Sequence, residues 1–212
     1  MTRSCVFVTL EGTAGTGKTT LVDGLETELT ERGFEVETVG EFSDTAFGDA
    51  FAEIVETGDR ATFAQRALSL TLQSLTDDVL KVETEVMPAL RTSDFVISER
   101  FVDRVVIYAV PLVADQYGAE DLAIELLDDV QALLPVRPDL RVFLTLDRAA
   151  RRERYRSHRP ELFDDEADID RFQTRQQQYR DRVATRENAV TYRNDGSVTD
   201  AVRELADIVE SG

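Results

Sequence analysis

The chain has 212 residues, 42 acidic against 24 basic, with a formal net charge of −18, and Lys18 and Lys81 are its two lysines. That length suits one α/β domain that buries a core without disulfides or a structural metal. The carboxylate surplus repels a phosphate backbone and argues against nucleic acid as a partner.

Dense carboxylates stay hydrated where salt is molar and the Debye length has shrunk to about 3 Å. With arginine standing for nearly all the basic charge, the composition fits a salt-adapted organism. Cys5 is the single cysteine and cannot form an internal disulfide, which fits a reducing cytoplasm. No apolar run is long enough to span a membrane, and the first one leads into a glycine-rich loop rather than a signal cleavage site.

Residues 5–10 form that first apolar run and predict a strand. Gly12-Thr13-Ala14-Gly15-Thr16-Gly17-Lys18-Thr19-Thr20 follows, and Leu21, Val22, Leu25 and Leu29 then keep helical spacing up to a stop at Gly33. Strand, glycine-rich turn and helix start in this order make a triphosphate-binding loop. Glycines let successive amide N–H groups converge on phosphate oxygens at the positive end of a helix dipole. Lys18 adds a mobile positive charge, and Thr19 offers a hydroxyl to a phosphate-bound Mg²⁺.

Residues 34–39 alternate as a short strand. Apolar spacing resumes from Phe47 to Val55, and a long helical pattern covers 62–90. Residues 94–98 read as a strand apolar on both faces, as a buried parallel strand should be. Helices are expected over 104–115 and 120–134, then a strand over 140–146, a highly charged helix over 148–156 and a polar stretch over 157–168. A long helix over 169–186, a strand over 189–193 and a helix over 198–209 finish the chain.

This alternation predicts a three-layer α/β fold, a five-stranded parallel sheet flanked by helices, in one domain over 1–212. Ligands of such sheets lie outside the carboxyl ends of the strands, which gathers the loop after Leu10, the Gly40-Glu41 corner, Glu99-Arg100 and the segment after Leu146 around one crevice.

Beside the phosphate loop, Glu99-Arg100-Phe101 resembles the Asp-Arg-Tyr/Phe/His element of thymidylate kinases, with Pro88-Ala89-Leu90 ahead of it at that family's spacing. Pro138-Asp139-Leu140, the arginine-rich Arg151-Arg152-Glu153-Arg154-Tyr155-Arg156, Phe172 with Arg175 and Tyr179, and Asn194-Asp195-Gly196 are similar to it too, so the resemblance runs from about Val6 to Val209. It implies a P-loop kinase fold and an ATP-dependent transfer of the γ-phosphoryl group to a deoxynucleotide, dTMP to dTDP, with Mg²⁺ as cofactor. It also implies a homodimer, for which the apolar positions Val105, Val106, Val110, Leu112 and Val113 are candidate faces. Together with the composition, the resemblance reads as that of a halophilic archaeal enzyme.

The implied ATP site is Gly12, Gly15, Thr16, Gly17, Lys18, Thr19 and Thr20, with Asp195; Thr19 and Glu99 would hold the metal. Arg100 would clamp the acceptor, among Glu41, Phe42, Phe101 and Arg104. Family members with an arginine inside the phosphate loop carry it where this chain has Gly15, so charge for the transferring phosphoryl group would come from Arg152, Arg154, Arg156 or Arg159 in a lid segment at about 151–168, with Arg152 and Arg156 one helical turn apart on one face. His158 needs no catalytic role, because transfer to a phosphate oxygen requires no imidazole base.

Several acceptor-side positions depart from the family pattern. The loop carboxylate is Ala14, the base-reading aromatic and arginine align with Ser74 and Asp78, the Arg-Glu-Pro corner is Gly40-Glu41-Phe42, and the small polar residues after Arg100 become Arg104, Val105 and Val106. Two other readings stay open. A deoxynucleoside kinase would use Glu41 as base toward a 5′-hydroxyl, and a regulatory protein would bind ATP without turnover.

Overall fold

The computed structural model describes residues 5–13, 15–58, 60–147, 149–150, 153, 174, 177–178, 180–186 and 188–211. The strands Val6–Gly12 (β1), Val36–Val39 (β2), Phe95–Glu99 (β3), Leu140–Thr145 (β4) and Ala189–Arg193 (β5) pair in parallel in the order β2-β3-β1-β4-β5. Connecting them are the helices Lys18–Glu31 (α1), Ala46–Thr57 (α2), Arg60–Gln65 (α3), Ala67–Lys81 (α4), Met87–Ala89 (α5), Asp103–Tyr117 (α6) and Glu120–Leu133 (α7); Val198–Ser211 (α8) follows β5.

Helices cover the sheet on both faces. On one, Leu21, Leu25 and Leu29 of α1 and Ala201, Leu205 and Val209 of α8 pack on Val8, Leu10, Ile97, Val142 and Leu144. On the other, residues of α4, α6 and α7 pack on Phe7, Val96 and Phe143. Neighbouring strand residues thus enter different cores, which is why the central strands are apolar without alternation. The same period of two sends Thr9 and Glu11 toward the α4 and α6 layer, both fully buried.

The expected three-layer arrangement is present, and β5 has its predicted bounds. The predicted helix over 62–90 is interrupted twice. Arg66 leaves helical geometry at φ −116 and ψ 22, and a π-helical turn, Val82–Val86, separates α4 from α5. Pro88 has no N–H to donate and its ring crowds the preceding turn, so a wider turn absorbs it. Most of the helices predicted over 148–156 and 169–186 lie outside the described residues; 180–183 is helical.

The α6 valines that sequence offers equally as a dimer face or as core are core. Val105, Val106, Val110 and Val113 are 4% exposed or less, buried in the core that α6 shares with α4 and α7.

At the start of α6, Asp103 is fully buried, with Arg141 Nε of β4 at 3.1 Å and Arg186 Nη1 at 3.4 Å. Removing the nearer cation leaves the buried carboxylate with Arg186 alone, so Arg141→Met should cost up to about 3 kcal/mol of unfolding free energy in denaturant titrations at molar KCl.

Candidate active site

β1 delivers the chain into the phosphate loop at Gly12, where β4 runs too close for a side chain: a Cβ would stand 2.7 Å from Thr16 Oγ1 and 3.0 Å from the Leu144 carbonyl. Gly17, left-handed at φ 91, then turns the chain into α1 as its N-cap, without a side-chain cap. The first-turn amides of α1 therefore face outward with no intrahelical acceptor, a ready anion cradle. The Thr13 carbonyl holds the loop's shape, accepting from Thr16 Oγ1 at 2.8 Å, Thr16 N at 3.3 Å and Lys18 Nζ at 3.4 Å.

Lys18 is 6% exposed. Burial, with the charge of Arg100 beside it, lowers its ammonium to about 8 against the opposing pull of Glu41, Glu99 and Glu11. A phosphate anion would restore what burial removes.

β1 and β3 lie in register with Leu10 opposite Glu99, which brings the end of β3 level with the loop. Thr19 Oγ1 consequently donates to Glu99 Oε1 at 3.1 Å, so the two residues expected to share a metal are already neighbours. Arg100 comes next, in the left-handed region at φ 66, its N–H on the Leu10 carbonyl. Its guanidinium donates from Nη1 to the Gly12 carbonyl at 3.2 Å, sits 2.8 Å by Nε from Glu41 Oε1 and lies 4.8 Å over the Tyr108 ring. Against the pull of its own burial, Glu41 is held below the usual carboxylate range by Arg100, Lys18 and Arg104.

The other acceptor-side expectations divide. Phe42 is half-buried, edge-on to Phe51, with the Arg104 guanidinium 5.3 Å over its ring. Arg104 is held from several sides, donating to the Glu41 carbonyl at 2.6 Å and to Asp77 Oδ2 at 3.0 Å, with Asp78 Oδ1 at 3.1 Å. Phe101 is a correction: fully buried, it packs edge-to-face on Phe7 at 5.4 Å and belongs to the core rather than to a ligand surface. Thr20 is exposed on α1. Asp195 is occupied by Arg193 and the Asp147 N–H, while its neighbour Asn194 reaches the loop, donating from Nδ2 to the Thr16 carbonyl at 2.8 Å. Arg152, Arg156 and His158, like Ala14, lie outside the described residues.

Sequence reasoning missed the charged layer beneath the crevice. Lys81, fully buried, donates to the carbonyls of Gly40, Glu41 and Arg100, each at 3.1 Å. Asp77 accepts from Ser43 N and Oγ, pinning the segment after β2 to α4. Glu11 accepts from the Phe101 N–H at 2.6 Å. Burial, then the charge of Asp103, pushes its carboxyl up to about 8 in spite of Arg100, so it is largely protonated at neutral pH. The scarcity of lysine was the one available signal, since each of the two lysines stands in this site.

The thymidylate kinase family model matches residues 10–205. The thymidylate kinase of Nitrosospira multiformis is 30% identical over 209 residues, 97% of this chain and 93% of its own length. That of Clavibacter sepedonicus is 39% identical over 150 residues, 70% and 67% of the two chains, and a probable thymidylate kinase of the archaeon Thermoplasma volcanium is 28% identical over 67% of each. In fold, the chain is similar to the thymidylate kinase structures from Ehrlichia chaffeensis (TM-score 0.71, 17% identity, 97% of this chain and 99% of that one) and Candida albicans (TM-score 0.74, 19% identity, 98% and 92%).

Two pH effects follow. The folded Glu11 carboxyl holds its proton up to about 8, against an ordinary 4.5, so the native state binds more protons than the unfolded chain between those values. Stability from this group therefore falls as pH rises from about 5 to 8, and Glu11→Gln should flatten that fall in denaturation midpoints. Lys18 loses its proton above about 8 in the free protein. Affinity for inorganic tripolyphosphate, measured by calorimetry, should thus weaken by up to about tenfold per pH unit beyond that point, and Lys18→Met should remove the slope.

Proposed function

We propose that this chain, which belongs to the thymidylate kinase family and phosphorylates dTMP to dTDP with ATP, does so in the crevice at the carboxyl ends of β1, β2 and β3. One observation carries the assignment of residues: the loop that bears Lys18 and Thr19 meets the Glu99-Arg100 corner through Thr19 Oγ1 to Glu99 Oε1 and Arg100 Nη1 to the Gly12 carbonyl.

Lys18 and the loop amides neutralise the β- and γ-phosphates of ATP. Phosphoryl transfer needs positioning and positive charge more than a covalent partner. Thr19 and Glu99 are hard oxygen donors 3.1 Å apart at the lip of the cradle, which fits Mg²⁺, a cation that takes few protein ligands where phosphates supply the rest. Thr19 would hold it by its hydroxyl and Glu99 through water, and bound there it would draw negative charge off the phosphate oxygens. Among the described residues no group of three or more His, Cys, Asp or Glu forms a closed metal cage.

Arg100 takes the acceptor's phosphate, exchanging Glu41 for an anion that its planar fork matches better. Phe42 and Tyr108 border that position, and Arg104 steadies the Glu41 corner from below. Residues 1–212 act as one kinase domain in which Arg152 and Arg156, one helical turn apart in sequence, supply charge to the transferring group from a lid at about 151–168. The setting we propose is the cytoplasm of a halophilic archaeon, supported by the net charge of −18 and the near absence of lysine. A homodimer, as the resemblance implies, would use faces other than the buried valines of α6.

The ionised Glu41 at the acceptor side favours one second reading, general base toward the 5′-hydroxyl of a nucleoside. A dTMP phosphate is already ionised and needs no base. ADP release at molar KCl should therefore show that Glu41→Gln costs less than about tenfold in kcat/KM for dTMP, or about 1.4 kcal/mol, while Arg100→Met costs about a hundredfold or more. Near-abolition by Glu41→Gln, with thymidine turned over by the unaltered enzyme, would assign the nucleoside reading instead.

A further inference from the structure

We propose that Lys81 is a positioning residue for acceptor binding, whose ammonium fixes the main chain of Glu41 and Arg100 so that the Arg100 guanidinium faces the incoming phosphate. The inference rests on the reading of Arg100 as the acceptor clamp.

Lys81 ends α4 with no exposure to solvent. Its three donors meet three carbonyls at one distance, 3.1 Å, from Gly40, Glu41 and Arg100. The nearest carboxylate oxygen, Asp78 Oδ1, is farther away at 3.8 Å. An ammonium buried for charge balance alone would sit against a carboxylate. This one sits where main-chain carbonyls converge.

The place matters because the sheet has run out there. Pairing between β2 and β3 stops at Val39 opposite Ser98, so the carbonyls of Gly40, Glu41 and Arg100 lie beyond the ladder. Lys81 replaces the missing ladder donors for both chain ends at once. It therefore sets the spacing between the corner that carries Glu41 and the corner that carries Arg100.

Arg100 needs such a restraint. A non-glycine residue at φ 66 sits in the sparsely populated left-handed region, and the surrounding contacts must hold it there. Its carbonyl accepts from Lys81 Nζ and from Ser98 Oγ at 2.7 Å, and its N–H donates to Leu10. If the carbonyl is released, the peptide can rotate and carry the guanidinium off Gly12 and Glu41. A guanidinium could not replace the ammonium here, because three donors around one nitrogen can converge on three carbonyls, whereas a planar fork spreads its donors apart. That distinguishes Lys81 from the 22 arginines of the chain.

The test uses the full chain at molar KCl, with separate KM values for dTMP and ATP, kcat and the unfolding midpoint. Lys81→Met should raise the dTMP KM by about tenfold or more and leave the ATP KM within about twofold, and Lys81→Arg should not rescue it. A purely structural role would move both KM values together or move only the midpoint, and either result overturns the proposal, as does wild-type behaviour of Lys81→Arg. If Lys81→Met does not fold, Lys81→Gln is used instead, whose amide has too few donors and too short a reach for the three carbonyls. A selective rise in the dTMP KM supports the proposal, and an unchanged one overturns it. Arg100→Lys separates the two levels: no change in its dTMP KM removes the clamp and Lys81 with it, while a rise there without one in Lys81→Met removes Lys81 alone.

Discussion

The crevice depends on one left-handed residue. At φ 66, Arg100 can send its N–H back to β1, its carbonyl down to Lys81 and Ser98, and its side chain across to Gly12 and Glu41. An extended conformation would continue the strand and could satisfy only the first of these. The three strand ends that form the crevice are thus tied together through a single peptide unit, and the strain in that unit is offset by hydrogen bonds that are all buried or partly buried.

The electrostatics follow from the same arrangement. A chain with a net charge of −18 must offer a positive surface to a tetra-anionic nucleotide, and it does so by burying its cations under the loop rather than by displaying them. Lys18, Arg100, Arg104 and Lys81 are each 6% exposed or less. Where the Debye length is about 3 Å, exposed pairs such as Arg32 with Glu28 are largely screened. Contacts made inside the fold are screened much less, so the site can stay cationic in brine that neutralises its surroundings. Burial has its counterpart in Glu11, whose carboxyl is pushed up to about 8 first by its removal from water and then by the charge of Asp103.

Much of this was legible in the sequence, for identifiable reasons. The phosphate loop and the strand order's crevice could be read because glycine spacing and apolar runs are local signals, and the register of β1 on β3 then puts Thr19 beside Glu99. The helix over 62–90 was legible as a helix but not as an interrupted one, because Pro88 acts through a turn that also has to place Lys81. Phe101 was misassigned because the left-handed turn at Arg100 sends the next side chain down into the core, onto Phe7, which no local signal announces. Asn194 lost to Asp195 for want of a signal that tells which residue of a turn faces inward. The layer of Glu11, Asp77, Asp78 and Lys81 reads in sequence as ordinary helix and strand charge, and only tertiary packing buries it.

The acceptor side carries the most instructive of these cases. Along the chain, Asp78 on α4 and Arg104 on α6 read as two unrelated charges. In the fold they stand 3.1 Å apart, both buried, with Asp77 as a second partner for the same arginine. Without its carboxylates Arg104 would be a charge stranded in the interior, at a cost of several kcal/mol. Together the two carboxylates hold the Arg104 guanidinium where it lies over Phe42 and bonds the Glu41 carbonyl. Charges that look independent along the chain are therefore one buried cluster in space, and only the packing of α6 on α4 brings them together.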